Sequence, residues 1–345
     1  MHRRNRAVPD WIWAYAVLLL MTAGMGVANA GTLEPRHLLD LVRQAAPLGI
    51  VAIGQTLLLM CAQIDLSLGT QITLYNVVLS TAMRSGDDNT IAIAVVMTIV
   101  VAVAAGLANG LAVTRLHIPA FVATLASSSV FAGAYLLYTR GAPSGSIAQG
   151  FRVIAEERIA DVVPWPAVIW LVAAVVVAFL LNRARFGREL VAVGGNPQAS
   201  YLSGLNIERT IVLCFVVASL LAALSSAILS AYIGIASNSV GDPYTLNSIA
   251  ATVIGGTAFT GGEGTIAGTV AGALLITVLQ AVLTMFNTGD SAKLVAQGII
   301  ILAMMTVYQW RSIAQGLHFP VRGGRGRPRR RALAIRSHPP SAAVE

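Results

Sequence analysis

Charged residues are scarce in this sequence. Aspartate, glutamate, lysine and arginine together make up 11% of its 345 residues, whereas an average soluble domain has about 25%. Apolar residues make up 56%. A water-soluble fold cannot bury that much apolar surface, so we infer that a lipid bilayer is the solvent for most of the chain.

Residues that carry covalent and metal chemistry are also few. The chain has two cysteines, Cys61 and Cys214, both within apolar stretches, and five scattered histidines. The motifs HExxH, CxxC, GxSxG and Walker A are absent, so the sequence lacks the patterns of a metalloprotease, a dithiol redox centre, a serine hydrolase or an ATPase. We therefore expect no enzyme, no metal site and no cofactor bound by this chain.

The sequence is rich instead in long apolar stretches, which recur along most of its length. A helix that crosses a bilayer needs about 20 predominantly apolar residues. We therefore predict an all-α polytopic membrane protein with about ten transmembrane helices, some short or broken, in one domain over 1–320. The predicted spans are 11–30, 46–63, 67–83, 91–113, 120–138, 164–182, 210–233, 246–261, 265–286 and 292–310.

Basic residues are unevenly divided between the predicted loops. With a cytoplasmic N-terminus, 16 of the 23 basic residues fall in cytoplasmic segments, which agrees with the positive-inside rule. An even number of spans places both termini in the cytoplasm, so we expect a multi-pass protein of the bacterial inner membrane. The basic tail, 321–345, is predicted to be disordered and to face anionic lipid headgroups, not nucleic acid.

The stretch CAQIDLSLGT, 61–70, places one carboxylate between two predicted spans. Asp65 is the only charged residue between Arg43 and Arg84. Acids within a membrane mark proton or ion relays by default, but Asp65 can also cap the following helix by accepting from a backbone N–H there. Both interpretations stay open, as does a contribution to a transport pathway or gate. The pathway or gate candidates are Asp65 and five polar residues in apolar surroundings: Ser67, Gln71, Asn76, Thr124 and Asn247.

The longest polar stretch inside the chain, 182–210, has helix punctuation near its middle. Asn196 is a good N-cap, Pro197 suits the first helical position, and Gly204 can end the helix in the left-handed conformation. The sequence predicts a short cytoplasmic helix that is either an ordinary connector or a docking element for another protein. The residues assigned to this loop are Gly194, Gly195, Asn196, Pro197, Ala199, Ser200, Leu202, Ser203 and Gly204.

A glycine-rich stretch, IGGTAFTGGEGTIAGTVAG, covers 254–272. No βαβ pattern surrounds it, so helix packing is a better interpretation than dinucleotide binding. The first four glycines are predicted to break the chain between two spans, and the last two form a GxxxG face for close helix packing. These glycines are Gly255, Gly256, Gly261, Gly262, Gly268 and Gly272.

Four stretches, in order, resemble sugar ABC-transporter permeases of the ribose-permease type. They are IDLSLG (64–69), IPAFVATLASSSVFAGAYLLYTRG (118–141), FGRELVAVGGNPQASYLSGLN (186–206) and LNSIAATVIGGTAFTGGEGTIAGTVAGALLI (246–276). The likeness covers roughly 40–310. One departure is Cys61-Ala62-Gln63, where the family commonly has glycines before the IDLS stretch.

The resemblance implies the membrane-spanning permease subunit of an ATP-binding-cassette importer. It implies a cargo monosaccharide (a pentose, hexose or deoxyhexose) delivered by an extracytoplasmic binding protein. It further implies a second permease copy or paralogue, and ATP and Mg on a partner ATPase that receives the 194–204 loop as a coupling helix. A proton-coupled secondary transporter using Asp65 is the alternative, although a relay needs several titratable groups and Asp65 stands alone in the predicted spans.

Overall fold

The computed structural model describes residues 10–83, 86–285 and the single positions 289, 295, 298, 299, 302 and 306. Within this part the chain forms twelve α-helices and one two-stranded antiparallel hairpin. The helices are α1 (Asp10–Ala28), α2 (Pro35–Met60), α3 (Leu68–Met83), α4 (Ile91–Thr114), α5 (Ala120–Thr139), α6 (Gln149–Glu156), α7 (Trp165–Arg183), α8 (Arg185–Gly195), α9 (Pro197–Leu202), α10 (Ile207–Ile233), α11 (Tyr244–Ile254) and α12 (Ile266–Met285), and the hairpin strands are β1 (Arg158–Ile159) and β2 (Val163–Pro164). Short 3₁₀ turns lie at Ala30–Leu33 and Asp88–Thr90.

Helices stand at nine of the ten predicted spans within the described residues. Six helical segments there are long and apolar enough to cross a membrane by length and composition: Pro35–Met60, Asp88–Thr114, Ala120–Thr139, Trp165–Arg183, Ile207–Ile233 and Ile266–Met285. Helix α3 has 16 residues and rises about 24 Å, less than the roughly 30 Å of a bilayer core. Of the tenth predicted span only single residues are described, and the tail, 321–345, lies outside the described residues.

Helix α2 is the centre of the bundle. Every residue from Ala45 to Met60 is buried, and α7, α10, α11 and α12 all pack against the helix. At Gly54 a β-carbon would lie 2.9 Å from the Cα atom of Ala218, so this glycine lets the backbones of α2 and α10 approach closely. The prediction started this span at residue 46, but the helix begins at Pro35. Its first turns carry polar residues that an apolar-stretch criterion leaves out.

Helices α11 and α12 pack through small residues. A β-carbon at Gly268 would overlap the carbonyl oxygen of Gly255, and one at Gly272 would overlap the carbonyl oxygen of Ala251. The GxxxG face of α12 therefore lies directly on the backbone of α11. The prediction carried the eighth span to residue 261, but α11 ends at Ile254 because the following backbone turns at Gly256, where φ is +90°.

We expect Gly268→Ala to lower the free energy of unfolding by about 1–3 kcal/mol, because the added methyl group meets fixed backbone. Gly133→Ala is the matched control, since nothing lies within 4 Å of a β-carbon built at this glycine of α5. The control should leave stability unchanged or raise it by up to about 1 kcal/mol. Thermal unfolding of the two purified variants in detergent tests this, and equal midpoints would contradict the packing described for α12.

Contacts between connecting segments fall into two groups at opposite ends of the long helices. At one end, Arg115 pairs with Glu208 at 3.7 Å, and the N–H of Gly262 donates to the carbonyl oxygen of Met60 at 2.8 Å. The segments at the other end are joined by three pairs: Asp40 with Arg158, Asp88 with Gly150, and Ile147 with Gly234. The bundle therefore has two distinct ends, each built from its own set of loops.

Candidate functional site

A buried polar cluster surrounds the carboxylate of Asp65, which is 1% exposed. Its Oδ1 accepts from the backbone N–H of Ser67 at 2.7 Å and from the Ser67 hydroxyl at 2.5 Å. Its Oδ2 accepts from the side-chain amides of Gln71 and Asn109, each at 3.3 Å. The backbone contact orders the turn that leads into α3, while the amide contacts tie that turn to α3 and α4.

The cluster continues along one face of α3. The Oε1 atom of Gln71 accepts from the Tyr75 hydroxyl at 2.9 Å and from the Ser219 hydroxyl at 2.7 Å. The Ser219 hydroxyl oxygen also lies 2.8 Å from the carbonyl oxygen of Ala102. A continuous polar chain therefore joins the IDLS turn, α3, α4 and α10 inside the apolar core. Every acceptor and donor named here has a partner, as buried polar groups require.

Sequence reasoning left Tyr75 and Ser219 out of the site. A signal for Tyr75 exists, because Ser67, Gln71 and Tyr75 are spaced by four residues and so share one face of a helix. Ser219 has no such signal: it is one of several serines in α10, and only the packing of α10 against α3 selects it.

The other predicted pathway residues lie in different places. Thr124 in α5 accepts from the backbone N–H of Leu66 at 3.1 Å, so it fastens α5 to the IDLS turn. Asn76 lies further along α3, where it bonds the Ser230 hydroxyl and the backbone N–H of Ser237 at 2.8 Å each. Asn247 is buried in the first turns of α11. The structure thus brings Asp65, Ser67 and Gln71 together, with Thr124 bonded to the adjacent Leu66, and places Asn76 further along α3.

The polar stretch 182–210 contains two helices, α8 and α9. Asn196 caps α9 by accepting from the N–H of Ala199 at 2.9 Å, and Pro197 is the first helical residue. Gly204 follows the helix with φ of +78°, a conformation that favours glycine. Helix α8, which was not predicted, precedes α9 and packs against α7. Ser200 is buried, whereas the neighbouring Tyr201 and Leu202 are 73% and 80% exposed.

Three backbone segments meet with almost no side chains between them, at what we call the glycine junction: Gly194–Gly195, Gly261–Gly262 and Met60–Ala62. A β-carbon at Gly194 would overlap the carbonyl oxygen of Met60, and one at Gly261 would lie 2.6 Å from the carbonyl oxygen of Gly194. Gly261 and Gly262 both have positive φ. The junction joins the C-terminal end of α8, the glycine-rich turn after α11 and the C-terminal end of α2.

Metal-binding clusters of three or more histidine, cysteine or acidic side chains are not found among the described residues. The two cysteines lie side by side in the core, with their sulfur atoms 3.3 Å apart and both thiols free. They behave as small apolar side chains where α2 meets α10.

Comparisons with known proteins point to one family. The profile of the family described as "Branched-chain amino acid transport system / permease component" matches residues 37–305. The ribose import permease protein of Bacillus subtilis is 35% identical over 83% of this chain and 88% of its own length. The galactose/methyl galactoside import permease protein of Escherichia coli K12 is 32% identical over 84% and 90%. The ribose import permease protein of Escherichia coli K12 is 30% identical over 81% and 89%.

No solved structure matches the chain. The sequence matches nevertheless cover most of this chain and most of each relative, and the profile match, 37–305, includes all four of the stretches on which the resemblance rests. That resemblance is therefore confirmed. The described part of the chain is a helical bundle with several membrane-length apolar helices, and its relatives are transport components rather than enzymes. The chain accordingly belongs to the branched-chain amino acid transport system / permease component family, together with the ribose and galactose import permeases.

Proposed function

We propose that this chain is the membrane-spanning permease subunit of an ATP-driven importer for a monosaccharide. The observation that carries the substrate class is the 30–35% identity to permeases named for ribose and galactose, over more than four-fifths of each chain. The family description names amino acids, but each of these relatives is named for a sugar. The uptake test therefore compares sugars with a branched-chain amino acid, L-leucine.

We propose further that α9 and the glycine junction lie at the cytoplasmic end, with both termini on that side. The basic-residue distribution supports this orientation. The contacts between connecting segments also support this orientation. Segments predicted to be cytoplasmic contact one another at one end of the bundle, and segments predicted to be outside contact one another at the other end. The predicted count of about ten transmembrane helices is part of this proposal, because an even number of spans places both termini on the same side of the membrane.

A separate ATPase subunit, which carries ATP and Mg, is proposed to dock on α9. Helix α9 is capped at both ends and presents the exposed side chains of Tyr201 and Leu202. A helix that exposes apolar side chains suits a groove on a partner protein. The glycine junction then links a movement of α9 to the end of α2 and to the turn before α12, through backbone contacts that cannot yield by side-chain rotation.

Two more partners complete the proposed assembly: a second permease copy or paralogue, and an extracytoplasmic sugar-binding protein. Helix α5 packs against α3 and α4 and is the least buried of the six long apolar segments, which leaves a broad face for the second permease or for lipid. The binding protein would meet the end of the bundle that carries the hairpin and α6.

The proposed function is tested by uptake into proteoliposomes that contain the permease, its ATPase and its binding protein. We expect uptake of radiolabelled D-ribose or D-galactose, but not L-leucine, only when ATP is enclosed with the ATPase. A proton uncoupler at constant ATP should leave the rate unchanged, because Asp65 is held by four hydrogen bonds and has no basic partner among the described residues. Uptake that collapses with the uncoupler would favour the proton-coupled alternative.

A further inference from the structure

A cavity of about 630 Å³ lies among helix termini, at the end of the bundle away from the glycine junction. Its walls come mainly from the C-terminal ends of α1, α10 and α12 and from the first half of α2. The volume is within the range of about 300–1,000 Å³ that small-molecule sites occupy. Because the ends of membrane-length helices reach the headgroup region of a bilayer, the cavity lies at the depth where lipid headgroups meet acyl chains.

The polar part of this cavity is formed by His37, Arg43, Gln44, Tyr232 and Gln280. His37 is the third residue of α2, and Tyr232 is next to the last residue of α10. The Nε2 atom of His37 is buried and has no hydrogen-bond partner in the described part of the chain. Because buried polar atoms are normally paired, this ring indicates a polar guest beside the helix termini.

The polar part carries net positive charge, because Arg43 and Arg158 share one carboxylate. The Oδ1 atom of Asp40 lies 2.5 Å from an Nη atom of Arg158 but 3.6 Å from the Nε atom of Arg43, which is longer than a hydrogen bond. The Arg43 guanidinium carbon lies 5.3 Å from the centre of the Tyr232 ring, which holds the side chain beside the cavity. The described residues that line the cavity include no aspartate or glutamate. The wall therefore favours an anion.

The remaining wall of the cavity is largely apolar. Pro47 lies ten residues beyond His37, or about 15 Å further along α2, and Ile228, Leu229 and Ala281 extend the apolar wall. A small inorganic anion has no use for this surface, whereas an acyl chain covers it and removes it from water. The combination of a basic part and an apolar part therefore fits an anionic amphiphile.

We propose that this cavity binds an anionic phospholipid, with the phosphodiester group at His37 and Arg43 and an acyl chain against the apolar wall. The imidazole and guanidinium N–H groups donate to phosphate oxygens, and Gln44 and Gln280 add amide donors. Basic pockets between transmembrane helices recognise anionic headgroups in this way. The bound lipid joins α1 to α2, α10 and α12, so its effect is on stability. The proposal depends on the bundle lying in a bilayer, and neither the cargo nor the orientation enters it.

The test is thermal unfolding of the full-length permease in nanodiscs of phosphatidylcholine that contain a rising fraction of phosphatidylglycerol. Phosphatidylglycerol should raise the unfolding midpoint of the wild-type protein and then saturate, whereas inorganic phosphate added to phosphatidylcholine nanodiscs should not raise it. Arg43→Gln should need about tenfold more phosphatidylglycerol for half of the effect, the loss expected for one hydrogen bond to a charged group. The matched control is Arg36→Gln, an exposed position of α2 outside the cavity, which should behave as the wild type.

A second variant keeps the test decisive if Arg43→Gln folds poorly. Gln44→Glu places a negative charge at an exposed position of the cavity wall with almost no change in size. It should weaken the effect of phosphatidylglycerol at least as much as Arg43→Gln, while the midpoint in phosphatidylcholine alone stays the same.

Three results would overturn the site. The first is an equal response to phosphatidylglycerol in the wild type and in both cavity variants. The second is an equal loss in Arg36→Gln and Arg43→Gln, which would show a general attraction between the basic surface and the membrane. The third is stabilisation by inorganic phosphate alone, which would show a site for a soluble anion.

Discussion

Gly194→Ala should uncouple ATP hydrolysis from transport, although it adds only one methyl group. A β-carbon at this position would overlap the carbonyl oxygen of Met60 and lie 2.8 Å from the backbone nitrogen of Gly262. Neither neighbour is a flexible side chain, so the C-terminal end of α8 must move away from α2. Overpacking of this kind costs about 1–3 kcal/mol, so we expect the Gly194→Ala protein to transport clearly less sugar per ATP hydrolysed than the wild-type protein.

The neighbouring glycine supplies the control. A β-carbon at Gly195 would have the Cα atom of Gly262 at 4.0 Å, which is an ordinary contact. Gly195→Ala should therefore retain near wild-type coupling. The measurement is the ratio of sugar taken up to ATP hydrolysed, in proteoliposomes with equal amounts of folded permease. Equal ratios for the two variants would show that the glycine junction does not transmit movement.

These two adjacent glycines have different surroundings, which the sequence alone does not specify. The pattern GGNP predicted a capped helix, and the cap at Asn196 and the left-handed Gly204 follow from local chemistry alone. The partners of Gly194 are 134 and 68 residues away in the chain, at Met60 and Gly262. Only tertiary packing distinguishes a glycine pressed against backbone from one with open space beside it.

The helices themselves were largely predictable, because apolar length is the dominant signal in a bilayer. The polar ends of the long helices and the short polar helices were less predictable. The first ten residues of α2 and the whole of α6 and α8 carry polar residues and fall outside any apolar window. Helix α8 ends in Gly194 and Gly195 of the glycine junction, so a feature central to the proposed function depends on a segment that hydropathy does not detect.

The Asp65 cluster was predictable in part, more than the tertiary contacts of Gly194 and less than the apolar helices. The sequence offered Asp65 as a cap that accepts from the N–H of Ser67 or Leu68, with a pathway role and a proton relay as alternatives, and the structure has the bond from Ser67. The amide contacts from Gln71 and Asn109 depend on how α3 and α4 pack, which the sequence does not specify. The sequence therefore indicated the cap but left the strength of the surrounding cluster undetermined.

Asp65→Leu should destabilise the permease more than any other single change proposed for this chain. The substitution leaves the Ser67 N–H and the Ser67 hydroxyl without their acceptor at Asp65. The Gln71 and Asn109 amides lose their 3.3 Å contacts to Asp65 but keep the Ser67 hydroxyl oxygen at 2.8 and 2.9 Å. Each buried group that loses its partner costs about 1–3 kcal/mol. The two losses at Ser67 together cost about 2–6 kcal/mol, which approaches the total stability of many folded domains, about 5–15 kcal/mol, so the amount of folded protein in the membrane should fall.

Asp65→Asn separates the structural role from proton transfer. The asparagine Oδ1 can still accept both Ser67 contacts, so the turn into α3 should persist. Its amide group replaces Oδ2 and faces the donating amides of Gln71 and Asn109, which lose that acceptor but keep the Ser67 hydroxyl oxygen at 2.8 and 2.9 Å. We expect a loss of about 1–3 kcal/mol in unfolding free energy and ATP-driven uptake that is retained. An asparagine cannot carry a proton at physiological pH. Folded Asp65→Asn protein that transports no sugar would therefore assign Asp65 to the pathway or to a proton relay, and the uncoupler experiment on wild-type protein would then decide between those two.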